Sequence, residues 1–320
     1  MNRPESAPPE RSAALEAAFR MDRHRLRALA YRVTGCGTDA DDVVQEAFAR
    51  LAALPEDSYP PVPGAWLWRV VTNLAIDLLR RRRRRRYVGP WLPAPVETSA
   101  LDLVERLPEP GLDSAARYEL AESATYAFLL ALEILSPRQR AVLLLRDVFC
   151  HSAEETAALL GISEGNVRIL HLRARRALES YDRSRCIPTE ALRERHRAAL
   201  TRFLKCLNAG DLAGLESLFA DDIITLTDSG GEFTALARPL AGRTAVARLY
   251  QMAAEHRREG GTREDWMLAN GLPAVRITLL RPVRRQAPQT LLRCELDEND
   301  RIRIVYAILA PKKLAAFRGL

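Results

Sequence analysis

The chain has 320 residues, 48% of them hydrophobic and 28% charged, which suits a protein of roughly two or three domains with ordinary cores. Its formal net charge of +7 permits a nucleic-acid partner but does not establish one. The five cysteines form no CxxC pair, which argues against a disulfide framework or a zinc site and suits a reducing cytoplasm.

A first all-helical domain is predicted over residues 12–87. Its second helix, which we expect Asp39 to open, reads DADDVVQEAFARLAAL and has an apolar face. The opposite face carries Asp41, Asp42, Gln45 and Glu46. Acidic side chains near a helix start suit the helix dipole, and this is the plainer interpretation. The alternative is a surface that docks onto a basic protein.

A third helix, AWLWRVVTNLAIDLLRRRRRRR, ends in seven consecutive arginines, Arg80 to Arg86. Adjacent like charges repel each other, so phosphate binding is their natural use, with a solvated face as the alternative. Unpaired bases can stack on or hydrogen-bond to the neighbouring Trp66, Trp68 and Asn73. We expect one side of this helix to be buried through Trp66, Leu67, Val70, Val71, Leu74, Ile76 and Leu78.

A proline-rich linker is predicted over 88–115, and a second helical domain over 116–184. Within that domain Ser152 and Glu155 have the spacing of a capping box, and Gly161 favours a helix end. Ser163 can cap a second helix. A helix, a glycine turn and a helix form the helix-turn-helix pattern, whose second helix enters the DNA major groove.

The second helix of this pattern has two distinct faces at about 100° per residue. We expect Val167, Leu170, His171, Ala174 and Leu178 to point inward, His171 as a core histidine. The outward face would meet DNA; it comprises Gly165, Ile169, Leu172 and Arg176, flanked by Arg168 and Arg173. The alternative is an ordinary arginine-rich surface helix.

A third domain is predicted over 188–318, where helices are followed by strands in an α+β arrangement. A helix with Leu200, Phe203, Leu204 and Leu207 opens it. The two histidines of the domain, His196 and His256, are expected at polar positions of predicted helices. One further helix, 243–256, interrupts a sheet that we expect to be antiparallel. The predicted strands are 223–227, 233–237, 266–269, 274–280, 290–296 and 302–309.

Three blocks in order resemble bacterial sigma factors of the extracytoplasmic-function group: DADDVVQEAF, AWLWRVVTNLAIDLLRRR and the segment from LSPRQR to ARRAL. The resemblance implies that Asp41, Asp42, Gln45 and Glu46 bind the polymerase clamp. It places Trp66, Asn73 and five arginines at the promoter −10 element. These arginines are Arg80, Arg81, Arg82, Arg83 and Arg84. It places a second set at the −35 element: Arg168, Ile169, Leu172, Arg173 and Arg176.

The third domain resembles the SnoaL-like branch of the NTF2-like fold, a cone-shaped sheet with helices on one side, through FLKCLNAGDLAGLESLFADDI, TDSGGEF and PLAGRTAVARL. Residues 87–93, YVGPWLP, resemble the linker signature of sigma factors with this appendage. Two further signatures are altered here, to DSGGE at 228–232 and APKK at 310–313. The resemblance implies that the third domain regulates the sigma core through Trp91, Leu92, Pro93, Asp228, Gly230 and Gly231.

We therefore expect two all-α sigma domains followed by an α+β SnoaL-like domain, acting together as a promoter-specificity subunit of RNA polymerase. The expected partners are the polymerase core, through its β′ clamp and β flap, and promoter DNA. We expect no separate anti-sigma factor, no membrane, no metal and no cofactor; a small ligand of the third domain stays open. The alternatives are a stand-alone helix-turn-helix regulator that senses a ligand, and a cyclase or isomerase that would need an acid/base pair inside the cone.

Overall fold

The computed structural model describes residues 9–84, 87–97, 125–182, 188–258 and 260–315. The described chain divides into two compact units. The first unit contains residues 9–84 and 125–182, so both predicted sigma domains belong to it. The second contains residues 188–315 together with 87–97, so this part of the predicted linker belongs with the C-terminal domain. No helix in the described ranges is long and apolar enough to cross a membrane.

The first unit is helical throughout. Its N-terminal part has three long helices: α1 Pro9–Thr34, α2 Gly37–Ala53 and α3 Pro63–Arg84. Its second part has shorter helices: α4 Tyr126–Ala131, α5 Pro137–Leu143, α6 Ala153–Leu160, α7 Glu164–Ala177 and α8 Glu179–Asp182. A five-residue π-helix, Leu144–Val148, follows α5 directly.

The apolar face predicted for α2 is buried, through Val43, Val44, Ala47, Phe48 and Leu51. The helix begins at Gly37, two residues before the predicted Asp39, and Cys36 precedes it in extended conformation. Because Ala40 is also fully buried, the first turn already packs inward. The start of the helix therefore follows packing rather than the first acidic residue.

The buried face of α3 differs from the prediction. Leu67, Val71 and Ile76 are buried as expected, but Trp68 is buried and Trp66 is only half-buried. Thr72 is fully buried because its hydroxyl donates to the Trp68 carbonyl at 2.7 Å, which satisfies it inside the helix. The core-facing stripe is thus rotated toward Trp68, which removes that indole from the surface.

The helix-turn-helix is formed by α6 and α7, with the predicted caps. Ser152 and Glu155 make a complete capping box at the start of α6. Gly161 ends α6 in the left-handed conformation, with φ 63°, where a glycine avoids the steric cost of a Cβ. The Ser163 hydroxyl accepts from the Asn166 amide at 3.3 Å and caps α7.

The second unit is a six-stranded sheet with three main helices on one face, as the predicted α+β class requires. The helices are α9 Glu190–Ala209, α10 Leu212–Leu218 and α11 Arg243–Arg258, followed by the short α12 Pro311–Leu314. The strands are β1 Phe219–Asp228, β2 Leu240–Ala241, β3 Thr262–Ala269, β4 Leu272–Leu279, β5 Gln289–Leu296 and β6 Ile302–Ile308. Their order in the sheet is β2-β1-β6-β5-β4-β3.

Two sequence predictions for this sheet are wrong. The segment 233–237 forms no strand, and the short β2 lies just after it. The sheet is mixed rather than antiparallel, because β1 and β6 run parallel, with Thr225 opposite Val305. A parallel neighbour far along the chain leaves no local sequence signal, since alternation is the same for both orientations.

The core between helices and sheet includes Leu200, Phe203, Leu204 and Leu207 of α9, as predicted. His196 was expected at a polar position but is 95% buried, with 5% of its surface exposed. Its Nδ1 lies 2.8 Å from the Leu192 carbonyl. Burial lowers the pKa of His196, and the nearby positive charge of Arg293 adds to this effect.

Candidate nucleic-acid interface and linker clasp

The acidic face of α2 is exposed to solvent along its length, because the apolar face takes the core side of the helix. Asp41, Asp42, Gln45 and Glu46 are all exposed. Asp41 pairs with Arg27 of α1 at 2.6 Å, and Glu46 pairs with Arg50 one turn later at 2.8 Å. Exposed pairs of this kind are weak and screened by solvent, so a partner can displace them.

The arginine tail of α3 has two environments. Arg80, Arg81, Arg83 and Arg84 are exposed, and Arg80 pairs with Asp77 at 2.9 Å. Arg82 and Arg83 contact the second helical segment of the same unit, residues 125–182. Arg82, with 14% of its side chain exposed, donates to Glu133 at 2.8 Å and to the Thr34 carbonyl at 2.6 Å. Arg83 donates to the Glu133 carbonyl at 3.1 Å and to the Leu135 carbonyl.

Glu133 holds a second guanidinium on its other carboxylate oxygen. Arg140, 1% exposed, contacts Oε1 at 2.5 Å and also donates to the Arg32 carbonyl at 2.9 Å. Burial lowers the pKa of Arg82; the charge of Glu133 opposes this, and the like charge of Arg140 adds to it. Glu133 therefore neutralises two guanidiniums that would otherwise repel each other.

The base-contacting candidates on α3 are also engaged within the unit. The Asn73 amide nitrogen lies 2.8 Å from the Arg69 carbonyl and 3.5 Å from the Leu159 carbonyl of α6. Trp68 makes edge contacts with the rings of Phe149 and His151, at centroid distances of 5.3 and 4.9 Å. Trp66 remains half-exposed. In this arrangement Trp68 is buried and Asn73 is half-buried.

Helix α7 presents the face predicted to read DNA. Ile169 and Leu172 are each about half exposed, at 51% and 52%, and their spacing of three residues places them side by side on the outward face of the helix. The other outward residues are exposed too: Gly165, Arg168, Arg173 and Arg176. The inward residues Val167, Ala174 and Leu178 are buried, whereas Leu170 and His171 are half-buried.

His171 ties α7 to the π-helix rather than lying in the apolar core. Its Nε2 lies 2.7 Å from an Asp147 oxygen, and Arg175 pairs with the other oxygen at 2.8 Å. Burial alone would raise the pKa of Asp147, but the hydrogen bonds from His171 and Arg175 outweigh it and hold that pKa below its ordinary value. These contacts fix the angle at which α7 is presented.

In the second unit, residues 87–97 are bound by Asp228, a fully buried carboxylate at the end of β1. Its Oδ1 accepts from the Tyr87 hydroxyl at 2.6 Å and from the Gly230 amide at 3.1 Å. Its Oδ2 accepts from the Leu92 amide at 2.7 Å and from the Lys313 ammonium at 2.5 Å. We call the set Tyr87, Trp91, Leu92, Asp228 and Lys313 the clasp.

Lys313 is the member of the clasp that sequence reasoning missed. It is 94% buried, donates to the Leu92 carbonyl, and lies 3.9 Å from the centre of the Trp91 ring. An ammonium over an indole face is attracted by the ring quadrupole. The altered motif at 310–313 could have indicated it, because the chain has only three lysines, Lys205, Lys312 and Lys313, and two of them lie in this motif.

The other linker residues named from the sequence lie in the same region. Pro93 is buried, as are its neighbours through Val96. Gly231 has φ 82°, and a Cβ there would lie 3.2 Å from the Val88 side chain, so this close approach requires glycine. A second anchor comes from Asn270. Its side-chain Oδ1 accepts from the Val96 backbone amide at 3.1 Å, and its backbone amide donates to the Val96 carbonyl at 2.9 Å.

A small cavity of about 110 Å³ lies between α9 and the sheet. Its lining is largely apolar, with Asn208, Thr262 and Glu264 at the polar side. Its volume is well below the ~300 Å³ at which ligand pockets begin, and its described lining pairs no histidine with an acid. No group of three metal-ligating side chains was found among the described residues.

These features define a two-part helical protein that contains a helix-turn-helix, with a fused α+β domain. Residues 18–85 match the model for sigma-70 region 2, and residues 126–178 match that for sigma-70 region 4. The chain is 35% identical over 232 residues to the ECF RNA polymerase sigma factor SigJ of Mycobacterium tuberculosis, covering 72% of this chain and 70% of SigJ. It is 32% identical over 282 residues to SigG of the same species, covering 83% and 73%.

The crystal structure of Mycobacterium tuberculosis SigJ superposes on this chain with a TM-score of 0.65 at 27% sequence identity, covering 94% of this chain and 98% of SigJ. The chain therefore belongs to the extracytoplasmic-function RNA polymerase sigma factors. A stand-alone helix-turn-helix regulator is not favoured by these matches, since both sigma regions are present in order.

Proposed function

We propose that this sigma factor binds the β′ clamp of core polymerase through α2, reads the −10 element with α3 and reads the −35 element with α7. The exposed acidic face of α2 supports the first assignment, because it offers a negative surface with no core role. The half-exposed Ile169 and Leu172 support the third. We assign the contact to the β flap to the second helical segment, and place the protein in the cytoplasm with the polymerase.

The C-terminal domain acts as a built-in regulator rather than as an enzyme. The observation that carries this conclusion is the clasp, in which a fully buried aspartate and a buried lysine hold residues 87–93 of the linker between the two sigma regions. A linker held in this way limits how far those regions can separate. Promoter recognition requires them to reach two elements about 17 base pairs, or roughly 58 Å, apart.

This mode of control requires no separate anti-sigma factor, because the controlling domain is covalently present. It also requires no ligand, although the cavity beside Glu264 leaves room for a few water-sized groups. The contacts of the clasp, and not the lining of this cavity, support regulation by contact.

Run-off transcription with core polymerase tests this proposal. The full chain is compared with a chain that ends near residue 184 and with full-length Asp228→Asn. Both variants should change promoter-directed initiation in the same direction, since both release the linker. Initiation equal to the full chain in both variants would refute regulation by the clasp, and no initiation by any chain would refute the sigma assignment itself.

A further inference from the structure

The described arginines of the α3 tail are divided between solvent and protein by the geometry of the helix. At about 100° per residue, Arg82 lies on the opposite side from Arg80 and Arg84. Those two are exposed, whereas Arg82 turns into the unit and has only 14% of its side chain exposed. A DNA phosphate cannot reach Arg82 there, because Glu133 and the Thr34 carbonyl already take its hydrogen bonds.

Glu133 offers Arg82 the same contact that a phosphate would. A guanidinium fork matches carboxylate and phosphate oxygens equally well. The Glu133 residue supplies both a carboxylate oxygen to Arg82 at 2.8 Å and a backbone carbonyl to Arg83 at 3.1 Å. One residue of the second helical segment, Glu133, thus binds two neighbouring arginines of the tail, Arg82 and Arg83.

The same segment also contacts two of the groups on α3 that would contact bases, Asn73 and Trp68, whereas Trp66 stays half-exposed. The Leu159 carbonyl lies 3.5 Å from the Asn73 amide nitrogen, and Phe149 and His151 pack on Trp68. Arg82, Asn73 and Trp68 are therefore covered together in this form of the unit. Arg80, Arg81 and Arg84 stay exposed. The DNA-facing side of α7 stays open, since Ile169 and Leu172 remain exposed.

We propose that Glu133 is an intramolecular competitor for nucleic-acid phosphates, which keeps Arg82 and Arg83 of the α3 tail from binding DNA until the second helical segment moves away. The inference rests on the proposed role of α3 at the −10 element. Arg140 anchors Glu133 from the buried side, through its own bond to the Arg32 carbonyl. Arg82 lies near the end of α3, so its side chain is the partner of Glu133 that can turn toward solvent when the two segments separate.

The test is binding of the full-length protein to a fluorescein-labelled single-stranded DNA of about 20 nucleotides, measured by anisotropy at several salt concentrations. Glu133→Gln keeps the shape but leaves two guanidiniums without their shared carboxylate. It should bind about tenfold more tightly than the unmodified chain, and the salt dependence should steepen by about 0.7 for each additional phosphate that the protein neutralises.

Asp77→Asn is the matched control, because it also removes one negative charge and frees an arginine of the same tail, Arg80, at an exposed site. An increase in affinity in Glu133→Gln no larger than that in Asp77→Asn would overturn the proposal. If the circular dichroism of Glu133→Gln shows that its helices are lost, Glu133→Asp is used in its place and its affinity is compared with that of Asp77→Asn. It keeps a charge beside Arg140 but is one methylene too short to reach Arg82.

The outcome is separable from that of the proposed function. Oligonucleotide affinity is measured without polymerase, so the ratio between variants reports on the competition alone. Run-off transcription by the unmodified chain reports on the sigma role alone. If the unmodified chain does not support transcription but Glu133→Gln binds the oligonucleotide tenfold more tightly, the sigma role is refuted and the role of Glu133 is retained. If the chain supports transcription but the two affinities are equal, the role of Glu133 is refuted and the sigma role is retained.

Discussion

Asp228→Asn should release the linker from the C-terminal unit. The carboxylate is fully buried and accepts four hydrogen bonds, from Tyr87, Leu92, Gly230 and Lys313. The amide that replaces it keeps the volume but removes the negative charge that pairs with the buried ammonium of Lys313, 7% exposed. Removing one partner of such a buried pair costs about 3–5 kcal/mol.

Hydrogen exchange at the Leu92 amide measures this loss directly, because that amide donates to Asp228. At about 1.4 kcal/mol for each factor of ten, exchange should accelerate roughly 10²- to 4 × 10³-fold. Asp222→Asn is the control: it removes the same charge from the same strand, but at an exposed carboxylate that pairs with Arg303. Leu92 exchange that is equally slow in both variants would show that the buried pair does not hold the linker.

Three further changes test other parts of the molecule. Asp42→Lys should weaken binding to core polymerase at least about tenfold, because it places a positive charge against the basic surface expected on the clamp. Co-elution with core polymerase measures this. Asp57→Lys, which is exposed but outside the acidic face, should leave binding unchanged. Leu172→Ala should reduce affinity for promoter duplex in the polymerase complex while changing unfolding free energy by less than about 0.5 kcal/mol; buried Val167→Ala should instead lower stability. His196 has a pKa lowered by burial, so below about pH 6.5 the unfolded chain binds more protons and stability falls by up to about 1.4 kcal/mol per pH unit. Urea unfolding should show a smaller fall in His196→Gln, and an equal fall would contradict the assignment.

Features that depend on near neighbours along the chain were predictable. The capping box of Ser152 and Glu155, the left-handed Gly161 and the buried face of α2 all follow from side-chain spacing within one or two helical turns. The outward position of Ile169 and Leu172 follows from the same 3.6-residue period. The family resemblance also depends on such local blocks, and the matches to sigma-70 regions 2 and 4 confirm it.

Predictions failed where a residue's environment depends on a distant segment. His196 is polar by type, yet α9 turns it toward the sheet and Arg293. Trp68 replaced Trp66 in the core because Phe149 and His151, from the second helical segment, pack on its ring. The period of a helix shows which residues share a face, but not how far that face is rotated toward a partner.

The sequence by itself determined that this chain has two helical sigma regions and an α+β domain, since periodicity, caps and glycine turns act over a few residues. Only the tertiary structure decided which charges meet. Lys313 and Asp228 are 85 residues apart, and Arg82 and Glu133 are 51 apart. Such pairs form because folding buries both groups at one place, where the penalty of an unpaired charge selects the partner. That selection depends on distance in space, which separation along the chain does not encode.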